Sequence, residues 1–243
     1  MITVHLQGGL GNQLFQLAFL DYMSKKTGKQ SYIDSLESPR TGHSKEQYFE
    51  YIFQEWKKIY KDLSSSDVYE KLNACIEDWG CQSGNTCYRG YFQRYEYIEP
   101  IKDSFISKLT FNSKILEKYP LIHKKVFLHI RGGDYLSTPS HNVLTKKYYD
   151  GAIKQFEDGT EFIIFTNDVD YSKRMFSYIP IIIESELDTL FLMSKCSGCI
   201  CANSSFSWWG AFLDSKRKIC IPSKWLNYDY HHESFRVPGW IVI

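Results

Sequence analysis

The chain has 243 residues, 43% hydrophobic and 23% charged, enough for one large domain or two small ones with a sizeable core. Its net charge of +1 offers no field for nucleic acid or an anionic membrane, so an anionic ligand has to be met by local charge. No apolar stretch reaches the ~20 residues of a membrane span, and the N-terminus lacks the marks of a signal peptide. The odd count of seven cysteines fits reduced thiols, and together these features predict a cytoplasmic protein.

In chain order, "ITVHLQ" predicts a strand and "GNQLFQLAFLDYMSKK" an amphipathic helix. "QSYID" then predicts a second strand, giving a β-α-β start. "YFEYIFQEWKKIY" reads as helical, while "SGNTCYRGYFQ" reads as loop and short strand. A helix in "FNSKILEKYPLIHKK" ends at Pro120, which sets the expected boundary between an N-terminal lobe, 1–120, and a C-terminal lobe, 121–243. Beyond it the pattern alternates. Strands in "KVFLHI", "EFIIFT", "IPIIIE", "SGCICA" and "KICIP" are separated by helices in "TKKYYDGAIKQF", "DYSKRMFSYI", "ELDTLFLMSK" and "SFSWWGAFLDS". Such alternation predicts α/β lobes with parallel sheets and helices on both faces.

In a parallel sheet the carboxyl ends of all strands share one edge, and ligands bind there. Three polar clusters follow directly on predicted strands: "HIRGGD" (His129 to Asp134), "TND" (Thr166 to Asp168) and "NSSFS" (Asn203 to Ser207). Arg131 offers a planar, permanently charged fork for phosphate oxygens. Gly132 and Gly133 let the backbone turn close to a bulky anion, and Asp134 either orients Arg131 or caps the next segment. "NSSFSWWGAFL" has the pattern of an anion site at a helix start, with Asn203 or Ser204 as cap. Trp208, Trp209, Phe212 and Leu213 carry helical spacing and read as core. Asp168 either grips a ribose or guanine edge or caps the helix after it.

"DVD" (Asp168 to Asp170) has the form of a motif that holds a diphosphate through a divalent metal, while Arg131 neutralises the same charge without one. Cys196, Cys199 and Cys201 lie in or beside a strand-like apolar run with no second ligand pair, so no metal site is expected. At the N-terminus, "VHLQGGLGNQLFQ" sets glycines between strand and helix. It is similar to a dinucleotide fingerprint whose third glycine position is Leu14, with Asp34 as a ribose acid, which keeps an NAD-dependent oxidoreductase open. Otherwise Gly8, Gly9 and Gly11 form a tight loop facing a cleft into which Asn12 reaches.

Together these stretches resemble the α-1,2-fucosyltransferase family, glycosyltransferase family 11. "GGLGNQLFQLA" is similar to its N-terminal signature and "HIRGGDY" to its HxRRGDY motif, and "GYFQ", "YYDGAI", "FTND", "NSSFSWWGAFL" and "PGWIVI" follow in family order. The resemblance implies two Rossmann-like lobes in a GT-B-like fold. It implies inverting transfer of L-fucose from a GDP-L-fucose donor to the 2-hydroxyl of a galactose-containing glycan, without divalent metal or other cofactor. By position, it implies that Arg131 holds the β-phosphate and that His129 and Asp168 hold the nucleoside. It further implies that Ser204, Ser205 and Phe206 line the diphosphate pocket, that Gly9, Gly11 and Asn12 also bind the GDP-sugar, that Asp134 supports the site, and that Asn12 faces the reaction centre as a catalytic residue with Arg131. The general base stays open between His5, His141 and acids of the N-terminal lobe.

Two departures stand out. Gly132 replaces the family's second arginine, with Arg89 or Arg94 as possible compensation, and the chain is short, with the missing length expected in the N-terminal lobe. Another GDP-6-deoxysugar as donor, and a non-catalytic nucleotide- or sugar-binding protein, remain alternatives.

Overall fold

The computed structural model describes residues 1–34, 45–61, 70–73, 85–228 and 232–243; at 34, 45–47, 61 and 70–73 it describes backbone alone. The chain divides into two compact units, Met1–Phe111 and Asn112–Ile243, so that Pro120 lies within the second.

The first unit opens with β1 (Ile2–Val4), α1 (Leu10–Thr27), β2 (Ser31–Asp34), α2 (Lys45–Glu50) and β3 (Tyr60–Lys61). It continues with β4 (Glu70–Asn73), β5 (Thr86–Arg89), α3 (Tyr95–Ile98) and α4 (Lys102–Ile106). The strands form a parallel sheet in the order β3-β2-β1-β5-β4. The chain therefore lays strands outward on one side of β1, crosses to the far edge on its other side with β4, and comes back beside β1 with β5. Helix α1 departs from the amphipathic expectation: Leu10, Leu14, Phe15, Leu17, Ala18, Phe19, Leu20 and Met23 are buried, and exposure begins only at its last turns. The single helix expected over 48–60 is instead the end of α2, a turn, and a 3-10 segment, Gln54–Ile59.

The second unit contains α5 (Ile115–Lys118), β6 (Val126–Ile130), α6 (Asp134–Ser137), α7 (Lys146–Ile153), β7 (Phe162–Thr166) and α8 (Val169–Met175). After these come β8 (Ile181–Ile182), α9 (Glu186–Lys195), β9 (Gly198–Ile200), α10 (Ser205–Phe212), β10 (Lys218–Ile221) and β11 (Ile241–Val242). Its strands, all parallel, run in the order β11-β10-β9-β6-β7-β8. Strand β11 adds to the sheet beyond "KICIP", the last strand expected. Its partner contacts include Ile243 N–H on the Ile221 carbonyl (3.0 Å) and Ser223 N–H on the Ile243 carbonyl (2.7 Å).

Strand β6 is buried along its whole length because both its faces are covered. Val126, Leu128 and Ile130 pack with Tyr148, Tyr149 and Ala152 of α7. Phe127 and His129 point the other way, Phe127 edge-on to Phe165 and His129 toward Phe206 of α10. Arg217 ties two helix ends together: Nη1 donates to the carbonyls of Met193 (2.7 Å) and Cys196, and Nη2 to that of Gly210 (2.6 Å). Among the described residues no helix is long and apolar enough to cross a membrane.

Candidate functional site

Where a parallel sheet reverses its strand order, a crevice opens at the carboxyl ends of the two flanking strands. In the second unit the reversal lies between β6 and β9, the strands that feed "RGGD" and "NSSF".

The Arg131 side chain is 30% exposed, and its Nη2 donates to Asp134 at 3.0 Å (Oδ1) and 3.2 Å (Oδ2). The guanidinium lies over the Tyr135 ring, 5.1 Å from its centroid, and that ring stacks on His141 at 4.0 Å and 15°. Three polar atoms here are buried without a hydrogen-bond partner: Arg131 Nε, His129 Nδ1 and His141 Nδ1. Such atoms are rare in a folded protein, because each costs about 1–3 kcal/mol unless something satisfies it. Burial, and then the charge of Arg131, drive the His129 pKa from 6.5 down to about 3, so its imidazole is neutral. Burial likewise lowers the pKa of His141.

The neighbouring loops are braced by side chains from distant elements. Tyr149 Oη donates to the His129 carbonyl (3.0 Å) and Tyr148 Oη to that of Cys201 (2.6 Å), which gives the "YYDGAI" stretch a supporting role under both strands. Tyr135 Oη donates to the Asn203 carbonyl (3.0 Å), linking the two loops directly. Asn203 does not cap α10. Its buried amide donates to the carbonyls of Asn142 (2.8 Å) and Trp225 (2.7 Å). Ser204 occupies the cap position with no side-chain cap bond, Ser205 starts the helix, and the Phe206 ring sits 5.9 Å from that of His129. Trp208, Trp209 and Phe212 are fully buried, as core, while Leu213 is half-buried.

The "TND" cluster holds the "RGGD" turn. Asn167 Oδ1 accepts from Gly132 N–H (3.0 Å), and its amide nitrogen reaches the Gly132 carbonyl and Asp134 Oδ1, both at 3.4 Å. Asp168 uses both carboxylate oxygens on backbone: Oδ1 accepts from Tyr171 N–H, capping α8, and Oδ2 from Gly133 N–H, each at 3.0 Å. Those two bonds, with Arg174 beyond them, lower its pKa. Of the two sequence readings of Asp168, the cap is the one its contacts describe. A β-carbon at position 132 would lie 2.8 Å from both Cβ and Oδ2 of Asp168, and Gly133 turns at φ +55°. The space of the expected second arginine is thus filled by Asp168. Neither candidate compensating arginine belongs to this unit. Arg94 is 3.6 Å from Glu96, and Arg89 ends β5.

In the first unit β1 and β5, neighbours in the sheet but not in the chain, feed "GGLGN" and "GYFQ". Gly9 caps α1 and Gly11 is buried in its first turn. Gly8 turns at φ +75° with Asn12 Nδ2 only 2.4 Å from where its β-carbon would be. Amide side chains hold both loops: Gln13 Nε2 on the Gly8 carbonyl (2.9 Å), Gln16 Nε2 on that of Gly90 (2.9 Å), and Gln93 Nε2 on Asn12 Oδ1 (2.7 Å). His5 continues β1, its N–H bonded to the Tyr88 carbonyl. The side chain of Asp34 lies outside the described residues.

Tyr135, Asn167 and Gln93 were not singled out from sequence, although each stood inside a quoted motif. Their partners lie 68, 35 and 81 residues away, and local pattern carries no trace of such pairs.

Comparison with known proteins places this scaffold. The model of Glycosyl transferase family 11 matches residues 1–243. The Escherichia coli O-antigen biosynthesis glycosyltransferase WbnK is 35% identical over 195 residues, 70% of this chain and 63% of that protein, so the match spans less than two thirds of WbnK. An Escherichia coli alpha-1,2-colitosyltransferase is 26% identical over 253 residues, covering 88% of this chain and 87% of the relative. Among solved structures, the fucosyltransferase NodZ from Bradyrhizobium superposes with a TM-score of 0.60 at 14% identity, over 87% of this chain and 93% of that one. NodZ co-crystallised with GDP gives 0.58 at the same identity. With both units built on parallel α/β sheets and the family model matched from end to end, the chain belongs to glycosyltransferase family 11 and has its GT-B-like fold.

Proposed function

We propose that this chain moves L-fucose from GDP-L-fucose to the 2-hydroxyl of a galactoside, with inversion at the sugar carbon and without a divalent metal. The observation that carries the proposal is the half-open Arg131, whose buried Nε lacks a partner beside the equally orphaned Nδ1 of His129 at the β6/β9 reversal. A diphosphate oxygen satisfies the guanidinium. The neutral imidazole and Phe206 suit the nucleoside, and Ser204, Ser205 and the start of α10 suit the diphosphate. Asp168, its carboxylate committed to two backbone amides, shapes the turn and is not left for a metal.

In the transfer, the bond between sugar C1 and the β-phosphate oxygen breaks and its electron pair leaves with GDP. The acceptor oxygen bonds to C1 from the opposite face and its proton passes to a base. Arg131 meets the charge that grows on the phosphate, an interaction worth ~3 kcal/mol in a preorganised site. The first unit takes the acceptor, with Gly9 and Gly11 shaping the loop and Asn12 at the acceptor hydroxyl. An NAD-dependent reading is disfavoured because the Asn12 amide folds against Gly8, in the turn that a pyrophosphate would need. The second donor to consider is GDP-colitose, on the ground that a 26% identical relative is named a colitosyltransferase.

Thermal unfolding with GDP, UDP or NAD, each with and without EDTA, tests the reading. A ligand at ~100-fold its Kd stabilises by ~2.7 kcal/mol, a rise of several degrees for a chain of this size. The expected result is a shift with GDP that EDTA leaves unchanged, followed by turnover of GDP-L-fucose with a galactoside. A shift only with UDP and metal, or only with NAD, overturns the proposal.

A further inference from the structure

The "GYFQ" stretch, Gly90 to Gln93, has no task in the transfer just described, yet its backbone is unusually constrained. Phe92 holds φ +50°, the one non-glycine residue with a positive φ among the described residues. A residue with a β-carbon enters that region at a cost and stays there only when its surroundings over-determine it. Here they do. The Phe92 ring stacks on Phe19 with centroids 3.8 Å apart and planes 5° from parallel. Gln16 holds the Gly90 carbonyl at 2.9 Å, and Arg94 N–H closes the turn on the Phe92 carbonyl at 2.8 Å.

This strained turn fixes the direction of one side chain. Gln93 Nε2 donates to Asn12 Oδ1 at 2.7 Å, while Asn12 Nδ2 rests against Gly8 in space that only a glycine leaves open. Asparagine presents a donor and an acceptor of nearly the same shape, so an amide held on one side alone can turn over. Gripped at Oδ1 by a donor and packed at Nδ2 against Gly8, it has one orientation.

We infer that Gln93 is a positioning residue for the transfer: it sets the polarity of the Asn12 amide at the acceptor hydroxyl. This rests on the reading that Asn12 meets that hydroxyl. Gln93 touches no substrate in this scheme; it acts through Asn12.

The test compares wild type with Gln93→Glu, Gln93→Ala, Asn12→Ala and the Asn12→Ala/Gln93→Glu double variant. Turnover is followed as GDP release from GDP-L-fucose or GDP-colitose with a panel of β-galactosides, alongside the melting midpoint with and without GDP. A carboxylate at position 93 accepts where the glutamine donates, so it repels Asn12 Oδ1. The expected result is a fall in kcat on the order of tenfold to a hundredfold for Gln93→Glu, as for a small misplacement of a reacting group. A smaller fall is expected for Gln93→Ala, with donor KM and the GDP-induced midpoint shift unchanged in both. The double variant is expected to be no slower than Asn12→Ala, because the two residues act as a unit.

Wild-type kcat in Gln93→Glu overturns the inference, as does a loss that adds fully to that of Asn12→Ala. A loss of kcat that comes with a lowered midpoint and a lost GDP shift marks a merely structural residue and also overturns it. A wild-type protein that turns over neither donor sinks the proposed function itself, and the role of Gln93 falls with it.

Discussion

Each unit sets two loops at the carboxyl ends of two neighbouring parallel strands that are not consecutive in the chain, and the two units furnish those loops differently. At β1/β5 the loops are gripped by neutral amides, Gln13, Gln16 and Gln93, and a backbone strained at Phe92. At β6/β9 the loop grips are a carboxylate, an amide and two tyrosines, and they hold a cation whose Nε is unsatisfied. Under the proposed function the difference corresponds to two recognition problems. A neutral hydroxyl calls for fixed hydrogen-bond direction, whereas a diphosphate calls for charge and for donors left open to it.

Removing the cation is the largest way to break the comparison. Arg131→Ala is expected to lose on the order of 10²–10³ in turnover and to abolish the GDP-induced melting shift. Asn12→Ala is expected to lose turnover while keeping that shift; equal loss of the shift in both variants erases the distinction between the two loop pairs. Next comes the glycine that faces Asp168. Gly132→Ala forces a β-carbon into the carboxylate's place and is expected to lower stability by about 1–3 kcal/mol in urea unfolding. The cost should shrink in an Asp168→Ala background, since neighbours in contact are not additive. Tyr135→Phe keeps the ring under Arg131 and removes the bond to Asn203, so it is expected to cost about 1 kcal/mol and little turnover. Tyr135→Ala, which removes the ring as well, should weaken GDP binding, read by titration calorimetry.

A further contrast shows in acid. The pKa of His129 is depressed in the folded chain, so between pH 6.5 and about 3 the unfolded state binds a proton that the folded state refuses. Stability from this residue is therefore complete above pH 6.5 and falls as pH drops through that window, with a slope approaching about 1.4 kcal/mol per unit. Measured unfolding free energies should show a shallower acid slope in His129→Asn.

How far the sequence reveals this depends on the range of the interaction involved. Helix α9 begins and ends where the pattern places it, because Ser185 caps it locally through the Asp188 N–H and the apolar spacing is periodic. The convergence of "RGGD", "TND" and "NSSF" on one sheet edge follows from strand direction alone. The misses are long-range or very short. Strand β11 is two residues after a Pro-Gly turn, too brief for any period to register. The amphipathic expectation for α1 misses contacts such as those of Phe92 and Tyr97, remote in sequence, which pack on the buried Phe19. The place of Gly132 is likewise unreadable without Asp168, which sits 36 positions on and fills its volume.

Strand β11 also bears on solubility. A sheet edge left open is a template on which another chain adds a strand, and the apolar "KICI" of β10 is suited to that. Ile241 and Val242 occupy this edge, and what remains exposed beyond them is a strand of two residues, too short to recruit a partner. Deleting residues 241–243 is expected to promote association with rising concentration, visible by light scattering before any loss of helical signal. The last two strand residues of the second unit thus cover the β10 edge.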